Sequence, residues 1–494
     1  MVLNQDRAPL WEALEDFCLK KRVSFHTPGH KHGKALDIKL LQLAGTGFAQ
    51  LDLTELPGLD NLHFPRGAIQ EAQALAAQAC GARHSFFLVN GASCGIQAMV
   101  LACCRPGDKL IIPRDAHVSV HTALIMSGVE PVYIYPELNP SAGLILGITR
   151  EHLHRVLQDN PETRAVLLLN PNYYGVCSDL AGLVQEARNF GKPVLVDEAH
   201  GAHLPFHPRL PASAGKPGAD LWVQSTHKMT ASLTQSALLH VGSDRIDLER
   251  LRAALRMVQS TSPSYLLMAS LDLSRRQMAT GGRQILDRIL TRAGSIRKEL
   301  AGIAGIKCFD EPDLPEGNGF LWDPLKLLIN FEGIGLKGEE AAHILRTVFN
   351  LECELADAKN VLFILAPGNT EEDCLKLVEA CSQLYKYNKL NQNNKLNRNN
   401  ELNRTNNPSL TNQSDPPELF HCSWQGAKQL LTPRDAWFAK GKEVPLPEAI
   451  GQAAGQFVIP YPPGIPVVCP GEEITAEKAA VICKFEDRIR IVSD

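Results

Sequence analysis

The sequence lacks the long apolar stretch of a membrane-spanning helix, since no run approaches the roughly 20 apolar residues that a bilayer requires. It also lacks the basic start and apolar core of a secretion signal. Its first residues, MVLNQDRAPLWEALEDFCLKKR, include several acids and are typical of an amphipathic helix. We therefore expect a protein of the cytoplasm that has no membrane partner.

Paired cysteines and a clear excess of basic residues are missing as well. The 13 cysteines are scattered, odd in number and without a CxxC pair, which favours free thiols over disulfides and indicates no zinc site. The net charge is −4, with 50 basic and 54 acidic residues well mixed. Without a basic surface of appreciable size, a nucleic-acid partner is not expected.

Short apolar runs and helical patterns alternate between residues 66 and 300. The helical patterns IQAMVLACC, REHLHRVLQDN and DLAGLVQEARNFG lie between several of the apolar runs. Near-continuous apolar strands that alternate with helices predict an α/β fold with a mostly parallel sheet, covered on both faces. The predicted strands are SFFLVN (85–90), KLIIP (109–113), PVYIYP (131–136), AVLLLN (165–170), PVLVDE (193–198), LWVQS (221–225) and SALLHV (236–241).

The length of 494 residues indicates two or three domains. Residues 1–60 are predicted to form an N-terminal helix and a connecting segment, and residues 61–300 the major domain. A smaller C-terminal α/β domain takes residues 301–387 and 419–494. Residues 388–418 are Asn-rich and almost free of large apolar side chains, so we predict a disordered insertion that cannot offset its ordering entropy.

The residues that follow each strand are candidates for chemistry, because parallel sheets bind ligands outside the carboxyl ends of their strands. SFFLVN is followed by GASCG, a small-residue loop with Ala92 and Ser93 that opens a helix and suits an anion. A plain tight turn capped by Ser93 stays open. The strand KLIIP delivers His117, a residue type that more often has a structural role when it stands alone.

The strand PVLVDE delivers a cluster of acids and histidines, namely Asp197, Glu198, His200 and His203. A carboxylate directly after four apolar residues is costly to bury without a cationic or protonated partner. The cluster fits a functional carboxylate, a structural ion pair or, as a further alternative, a metal site.

The strand LWVQS runs into Ser225, Thr226, His227 and Lys228. Lysine seldom ends a buried strand unless its amine is needed there. A desolvated lysine has a lowered pKa and attacks carbonyl groups. The position therefore indicates a nucleophilic amine.

Taken together, these groups are the parts that hold pyridoxal phosphate. An amine bonds the cofactor's aldehyde covalently, and a carboxylate keeps the pyridine nitrogen protonated. A flat imidazole stacks on the ring, and a small-residue loop at a helix N-terminus binds the phosphate. The sequence predicts this cofactor.

The chain resembles the bacterial ornithine/lysine/arginine decarboxylases, which are fold-type I enzymes that depend on pyridoxal phosphate. The resemblance implies an aspartate aminotransferase-like major domain and the loss of CO2 from a basic amino acid. The motifs that carry it extend over nearly the whole chain: FHTPGHKHG, LTELPGLDNLHFPRGAIQEAQ, FFLVNGASCGIQAM, DEAHGAH, STHK, STSPSYLLMASLD and PYPPGIPVVCPGE.

The resemblance also implies roles for individual residues. Lys228 is expected to bond the cofactor and Asp197 to pair with the pyridine nitrogen. His117 is expected to stack on the ring, and His200 to lie near the cofactor's 3-hydroxyl or the substrate. The implied phosphate ligands are Ala92, Ser93, Ser225 and His227, together with Thr261 and Ser262, which are expected to reach the partner subunit's phosphate because the family's sites lie at a dimer interface.

Two departures from the family pattern affect these expectations. Long members of the family carry an N-terminal wing domain ahead of the HTPGH-like segment, whereas this chain starts almost at that segment. We therefore expect a homodimer or tetramer rather than a decamer. Val118 stands where the family often has a lysine after the stacking histidine, which affects only fine tuning.

The substrate expected from the resemblance is arginine, giving agmatine for polyamine synthesis, with lysine and ornithine as alternatives. An acid must bind the substrate's distal cation, and the candidates are Glu472, Asp60 and Glu55. An aminotransferase with the same cofactor site, a metal hydrolase built on the acid and histidine cluster, and a regulator without activity are the other interpretations.

Overall fold

The structure, a computed structural model, describes residues 2–398, 428–460 and 464–493. None of the helices described is both long enough and apolar enough to cross a membrane. The chain forms two compact units. The first comprises Met1–Arg105, Leu157–Asn170 and Leu180–Asp287, and the second Pro106–Val156, Pro171–Asp179 and Arg288–Asp494.

The helices and strands follow one another in the alternating order that the sequence predicts. The helices are α1 (Pro9–Leu19), α2 (Ile38–Ala44), α3 (Thr46–Leu51), α4 (Ala68–Ala79), α5 (Gly91–Cys103), α6 (Val118–Ser127), α7 (Arg150–Asp159), α8 (Leu180–Asn189), α9 (Thr226–Met229), α10 (Leu248–Val258), α11 (Tyr265–Ala301), α12 (Gly338–Phe349), α13 (Glu371–Arg398), α14 (Pro433–Phe438), α15 (Leu446–Ala449) and α16 (Ala476–Ile482). The strands are β1 (His84–Leu88), β2 (Lys109–Pro113), β3 (Glu130–Ile134), β4 (Leu138–Asn139), β5 (Leu144–Ile145), β6 (Ala165–Leu169), β7 (Val176–Cys177), β8 (Val194–Asp197), β9 (Leu221–Gln224), β10 (Ala237–Val241), β11 (Lys307–Cys308), β12 (Leu321–Trp322), β13 (Lys326–Asn330), β14 (Leu355–Ala356), β15 (Asn360–Ile364), β16 (Gly441–Pro445) and β17 (Arg488–Val492).

The first unit contains five neighbouring strands in the order β1-β10-β9-β8-β6. Strands β6, β8 and β9 are parallel. Strand β10 is antiparallel to both β1 and β9, which the sequence did not indicate. Strands β8, β9 and β10 are buried along their whole length, which explains why they read as continuous apolar runs.

Helices on this sheet share a core with the N-terminal helix. Leu10 and Leu14 of α1, Ile69 of α4, Phe87 of β1 and Tyr265 of α11 belong to one cluster of buried side chains. This packing fixes the start of α11 and the loop in front of it, which carries the STSPS motif.

Among the residues that the structure describes, the second unit contains five strand groups, of which two are the short antiparallel pairs β4–β5 and β7–β12. Strands β2 and β3 form a parallel pair. Strands β11, β13, β15 and β14 form an antiparallel sheet in that order, and β16 pairs with β17 in an antiparallel ribbon. The C-terminal ribbon covers a core of branched aliphatic side chains that includes Val444, Ile465, Val467, Ile474 and Ile491.

The predicted α/β class with a mostly parallel sheet is confirmed, and each of the seven predicted strands coincides with an observed one. Helix α13 extends through Arg398, so residues 388–398 of the predicted insertion are helical. No proline or glycine interrupts this stretch, and its Leu, Lys, Gln and Asn residues are compatible with a helix. The rest of that insertion, 399–418, lies outside the described residues, and the domain boundaries stay predictions.

Candidate active site

The ends of β8 and β9 bring two predicted site residues to one edge of the sheet. Asp197 closes β8 and pairs in register with Val223 of β9, and Lys228 follows β9 directly. The Asp197 side chain is buried, and its Oδ1 accepts a hydrogen bond from the Ala199 N–H at 3.1 Å. The Asn170 N–H donates to the Asp197 carbonyl at 3.0 Å, which ties this edge to the end of β6.

The amine of Lys228 lies against a predicted neighbour. Its Nζ is 3.0 Å from Nε2 of His200, which is buried. Ser225 caps the short helix α9, and its N–H donates to the Ala199 carbonyl at 3.3 Å. Since a neutral imidazole nitrogen accepts a hydrogen bond from an ammonium group, His200 holds the Lys228 amine in place.

Hydroxyl groups fix the loop around Lys228. Thr226 Oγ1 donates to the Ser236 carbonyl at 3.1 Å and accepts from Ser232 Oγ at 2.7 Å. His227 Nδ1 lies 2.9 Å from the same Ser236 carbonyl, so this nitrogen carries the proton. The sequence did not single out Ser232 or Ser236, although a run of small polar residues after a strand could have done so.

The loop after β1 borders the Lys228 loop. Gly91, at φ +73°, donates its N–H to the Gln235 carbonyl at 2.9 Å, and Gln235 precedes Ser236. Ala92 is buried and Ser93 half-buried in the first turn of α5. Because this turn leaves N–H groups without helical partners, it suits the anion predicted for it.

Gly95 allows the helix behind this turn to approach the sheet. A Cβ added at Gly95 would lie 2.7 Å from Leu88 Cδ1 and 2.7 Å from Val223 Cγ2. Only glycine fits so close to β1 and β9. The close approach sets the position of the α5 N-terminus relative to the end of β9.

The STSPS loop between α10 and α11 lies on the surface. Thr261 and Ser262 are exposed. The Ser262 N–H donates to Ser260 Oγ at 3.1 Å, and the Ser260 N–H donates to Oδ1 of Asn90, the residue that caps α5, at 3.2 Å. The STSPS loop therefore borders the start of α5 through Ser260, the residue before Thr261.

His117 belongs to the second unit, where it caps α6. Its Nδ1 lies 2.9 Å from Ser119 Oγ and accepts a hydrogen bond from the Ser119 N–H at 3.2 Å. The proton of a neutral ring therefore sits on Nε2. The ring is half-buried, and two contacts to Ser119 fix its orientation.

Glu472 has partners that do not fit the substrate role considered for it. Its Oε2 accepts from Lys478 Nζ at 2.7 Å, from Arg114 Nη2 at 3.1 Å and from the Cys469 N–H at 3.1 Å. Burial by itself would raise the pKa of Glu472, but Arg114 and Lys478 lower it to about 2. A carboxylate already paired with two buried cations is poorly suited to bind a third, so these partners do not favour the substrate role of Glu472, which stays a prediction.

Asp60 is also occupied, by backbone groups of its own loop. Its Oδ1 accepts from the Asn61 and Arg66 N–H groups at 2.9 Å, and its Oδ2 accepts from Gly67 at 2.8 Å and Ile69 at 3.0 Å. Asp60 thus shapes the turn that leads into α4. These contacts give Asp60 an organising role in its loop, and its substrate role stays a prediction.

Glu55 differs from both of these acids. Its Oε1 is buried and has no hydrogen-bond partner among the residues that the structure describes. Burial, then Glu55 and Asp60, raise the pKa of the nearby Tyr265 phenol. A buried carboxylate oxygen without a donor is a group that a cationic ligand would satisfy.

The acid and histidine cluster after β8 does not form a metal site. Within the described ranges, no group of three or more metal-ligating side chains is placed to hold an ion. Glu198 instead accepts from Gln224 Nε2 at 2.6 Å, Ser213 Oγ at 2.7 Å and the Ala214 N–H at 2.7 Å. The metal-hydrolase alternative therefore has no site in this part of the chain.

Comparison with known sequences supports a decarboxylase. The family described as Orn/Lys/Arg decarboxylase, major domain, matches residues 8–373, and the corresponding C-terminal domain matches residues 423–487. An arginine decarboxylase of Bacillus subtilis is 40% identical over 493 residues, which cover 98% of this chain and 95% of the relative. A lysine decarboxylase of Pseudomonas aeruginosa is 26% identical, with coverage of 97% and 75%.

Solved structures show the same fold. The constitutive lysine decarboxylase of Escherichia coli superimposes with a TM-score of 0.81 at 19% identity, covering 99% of this chain and 82% of that chain. An alanine–glyoxylate aminotransferase from Nostoc sp. gives a TM-score of 0.53 at 17% identity, with coverage of 67% and 89%. The predicted aspartate aminotransferase-like fold is thereby confirmed. With family matches along most of its length and full-length relatives above 30% identity, the chain belongs to the Orn/Lys/Arg decarboxylase family.

Proposed function

We propose that the protein is an arginine decarboxylase that uses pyridoxal phosphate to convert arginine into agmatine and CO2. The observation that carries the proposal is the Lys228 amine, 3.0 Å from His200 Nε2, at the sheet edge that also presents the buried Asp197. Arginine is preferred as the substrate because four relatives at 35% to 40% identity are named arginine decarboxylases, whereas a relative named lysine decarboxylase is at 26%.

The residues present fit the cofactor. Lys228 would bond its aldehyde, Asp197 would pair with its pyridine nitrogen, and the N–H groups at Ala92 and Ser93 would bind its phosphate. His117 would stack on the ring. When bound, pyridoxal phosphate supplies an electron sink for the pair of electrons that the departing carboxylate leaves behind.

The side chains of this protein then manage protons and orientation. Asp197 is buried and accepts the Ala199 N–H, and a carboxylate in this position would favour a protonated partner. The amine of Lys228 carries exchangeable protons, and it donates a hydrogen bond to His200 Nε2 over 3.0 Å. This pair can deliver a proton to the substrate's α-carbon after CO2 leaves.

The proposal includes Glu55 as the acid that binds the guanidinium of arginine. Of the three acids considered, it has a buried oxygen without a partner in the described chain, whereas Asp60 and Glu472 are occupied. Glu55 shares its surroundings with Tyr265, at the start of the helix that follows the STSPS loop.

The proposal also includes a homodimer or tetramer in the cytoplasm, with sites at the dimer interface. Thr261 and Ser262 support it, because they are exposed and follow Ser260, which bonds Asn90 at the start of α5. A monomer in sedimentation velocity at assay concentration would contradict this part of the proposal.

CO2 release decides between the proposed reaction and its alternatives. Protein supplied with pyridoxal phosphate should release CO2 from arginine, and lysine and ornithine should be much poorer substrates. Lys228→Ala should lose activity by about 10⁴-fold or more, since it removes the covalent group. Lys376→Ala, which alters an exposed lysine of α13, is the matched control and should keep full activity.

Other results of this assay would change the assignment. CO2 from lysine or ornithine alone would keep the reaction and replace the substrate. A keto acid without CO2 would establish an aminotransferase, and protein without cofactor absorbance would establish a regulator that lacks activity.

Glu55→Gln tests the substrate acid. Because hydrogen bonds to charged groups contribute about 1.5–3 kcal/mol, the KM for arginine should rise roughly 10- to 100-fold. Glu71→Gln, at an exposed acid of α4, is the control and should leave KM unchanged. Equal KM values for the Glu55 variant and the unchanged protein would remove Glu55 from the site.

A further inference from the structure

The loop that carries His117 is bound to a distant segment of the same unit. Arg114 Nη1 donates to the Pro466 carbonyl at 2.8 Å, and Arg114 Nη2 donates to the Val467 carbonyl at 3.2 Å. The Val118 N–H donates to the Gly464 carbonyl at 3.1 Å. Backbone carbonyls of residues 464–467 therefore hold both sides of His117.

Charged side chains complete this connection. Glu472 binds Arg114 and Lys478 through one oxygen, and all three side chains are almost fully buried. The Arg114 guanidinium also lies 5.2 Å from the centre of the Tyr133 ring. A buried cation is strongly unfavourable unless it is paired with an anion. The ion-pair cluster is therefore stable only while Arg114, Glu472 and Lys478 are all present.

The Arg114 contacts determine where the backbone of residues 114–118 runs, and the Ser119 contacts determine how the His117 ring is turned. The backbone position and the ring orientation must both be correct if the His117 ring is to lie flat against a planar ligand. A productive site tolerates a rotation of the side chain of only about 10–20°. Residues 464–478 thus contact the polypeptide on either side of the imidazole.

We propose that Arg114, Glu472 and Lys478 are positioning residues through which segment 464–478 sets the backbone and ring plane of His117. The inference rests on the proposed function, in which His117 stacks on pyridoxal phosphate. It gives residues 464–472 of the PYPPGIPVVCPGE motif a task other than the substrate binding considered for Glu472. The three residues touch neither substrate nor cofactor in this account.

The chain offers a matched control for a buried ion pair. Asp272 and Arg275 of α11 form a pair at 2.6 Å whose side chains are as buried as those of Arg114 and Glu472. Asp272 also accepts the Leu10 N–H at 2.9 Å, which ties α11 to α1 within the first unit, whereas His117 belongs to the second. Asp272→Asn therefore lowers stability without changing the positioning of His117.

The experiment compares Glu472→Gln with Asp272→Asn by two measurements. Hydrogen exchange of a peptide covering residues 114–119 in the cofactor-free protein reports the loop directly, with no need for activity. Visible circular dichroism and the Kd for pyridoxal phosphate report how the cofactor is held. For Glu472→Gln we expect faster exchange of this peptide, a reduced dichroic band and a Kd raised about 10- to 100-fold.

Asp272→Asn should lower the Tm and leave these three readouts unchanged. If Glu472→Gln fails to fold, Lys478→Met serves in its place, since it keeps the Arg114–Glu472 bond and should give the same changes at smaller size. A Glu472 or Lys478 variant that differs from the unchanged protein only in Tm, as Asp272→Asn does, would overturn the proposal.

Failure of the proposed function gives a different pattern. If the unchanged protein binds no pyridoxal phosphate, the role of His117 is overturned, yet exchange of the 114–119 peptide still shows whether the segment holds the loop. Faster exchange combined with an unchanged Kd and dichroic band would overturn the positioning role alone.

Discussion

Glu198 and Glu472 are both buried glutamates that lie close to proposed site residues, yet their environments shift their pKa values in opposite directions. Burial, followed by the nearby Asp197 carboxylate, raises the pKa of Glu198 to about 8, although the hydrogen bonds from Ser213, Gln224 and the Ala214 N–H lower it. In Glu472 burial is outweighed by Arg114 and Lys478, and the pKa falls to about 2.

The difference shows that cationic partners, and not burial, decide the charge of these acids. Neutral donors help a carboxylate but do not repay its desolvation, whereas two cations do. Glu198 therefore stays uncharged at neutral pH. Glu472 stays charged and works as a fixed anchor.

A chain of neutral groups extends from Glu198 across the sheet. Ser85 Oγ lies 2.7 Å from His240 Nδ1, and His240 Nε2 lies 3.1 Å from Gln224 Oε1. Burial lowers the pKa of His240 to about 3, so its ring is uncharged as well. The neighbours of Glu198 are thus polar groups that can exchange their hydrogen-bond donor and acceptor roles. The neighbours of Glu472 are cations, which can only donate.

The largest effect is expected when the charged cluster is broken. Glu472→Gln leaves Arg114 and Lys478 buried without an anion, and the free energy of unfolding should fall by about 3–5 kcal/mol. Denaturant unfolding measures this loss. A decrease below about 1 kcal/mol, the size of an exposed ion pair, would mean that the two cations find other partners.

The pH dependence of stability should separate the two acids. Glu198 has a folded-state pKa of about 8 against an ordinary 4.5, so the folded state holds its proton longer and stability falls as pH rises from 4.5 to 8. Glu472 has a folded-state pKa of about 2, so its contribution is present above 4.5 and is lost as pH falls from 4.5 to 2.

The predicted loss of stability with rising pH is tested by measuring unfolding free energies of Glu198→Gln and of the unchanged protein from pH 5 to pH 8. The variant should lose less stability over this range than the unchanged protein. Parallel curves for the two proteins would show that Glu198 is ionised throughout the range.

The smallest effect is expected for Glu198→Gln near pH 6. An amide replaces a carboxyl group that is already neutral there, and the Gln224 amide and His240 ring can turn to accept its N–H. We expect a loss of about 1 kcal/mol, the value of a single net hydrogen bond. A loss as large as that of Glu472→Gln would erase the contrast between the two acids.

The sequence predicted the elements whose signal is local. KLIIP coincides with Lys109–Pro113, and the loops after SFFLVN, PVLVDE and LWVQS proved to border one another at the strand ends. The direction of β10 was not predictable, because SALLHV is equally apolar in a parallel and an antiparallel strand. Two-residue strands such as β7 and β12 carry too few residues to show a period.

The support of His117 was not predictable for a different reason. Arg114 and Glu472 are 358 residues apart, and no pattern near either residue points to the other. The position of Arg114 directly after a buried strand was the same signal that marked Asp197, but Lys478 lies in a helix and had none. Glu472 was noticed through its motif, but the two cations that bind it had no signal near it in the sequence.

The distance along the chain between Arg114 and Glu472 has a consequence for biosynthesis. A ribosome that adds about 5–20 residues each second needs about 20 to 70 seconds to make the 358 residues between them. During that time the guanidinium of the nascent chain has neither its carboxylate nor the carbonyls of residues 466 and 467. The His117 loop is consequently among the last parts of the protein to mature, however early its own strand is translated.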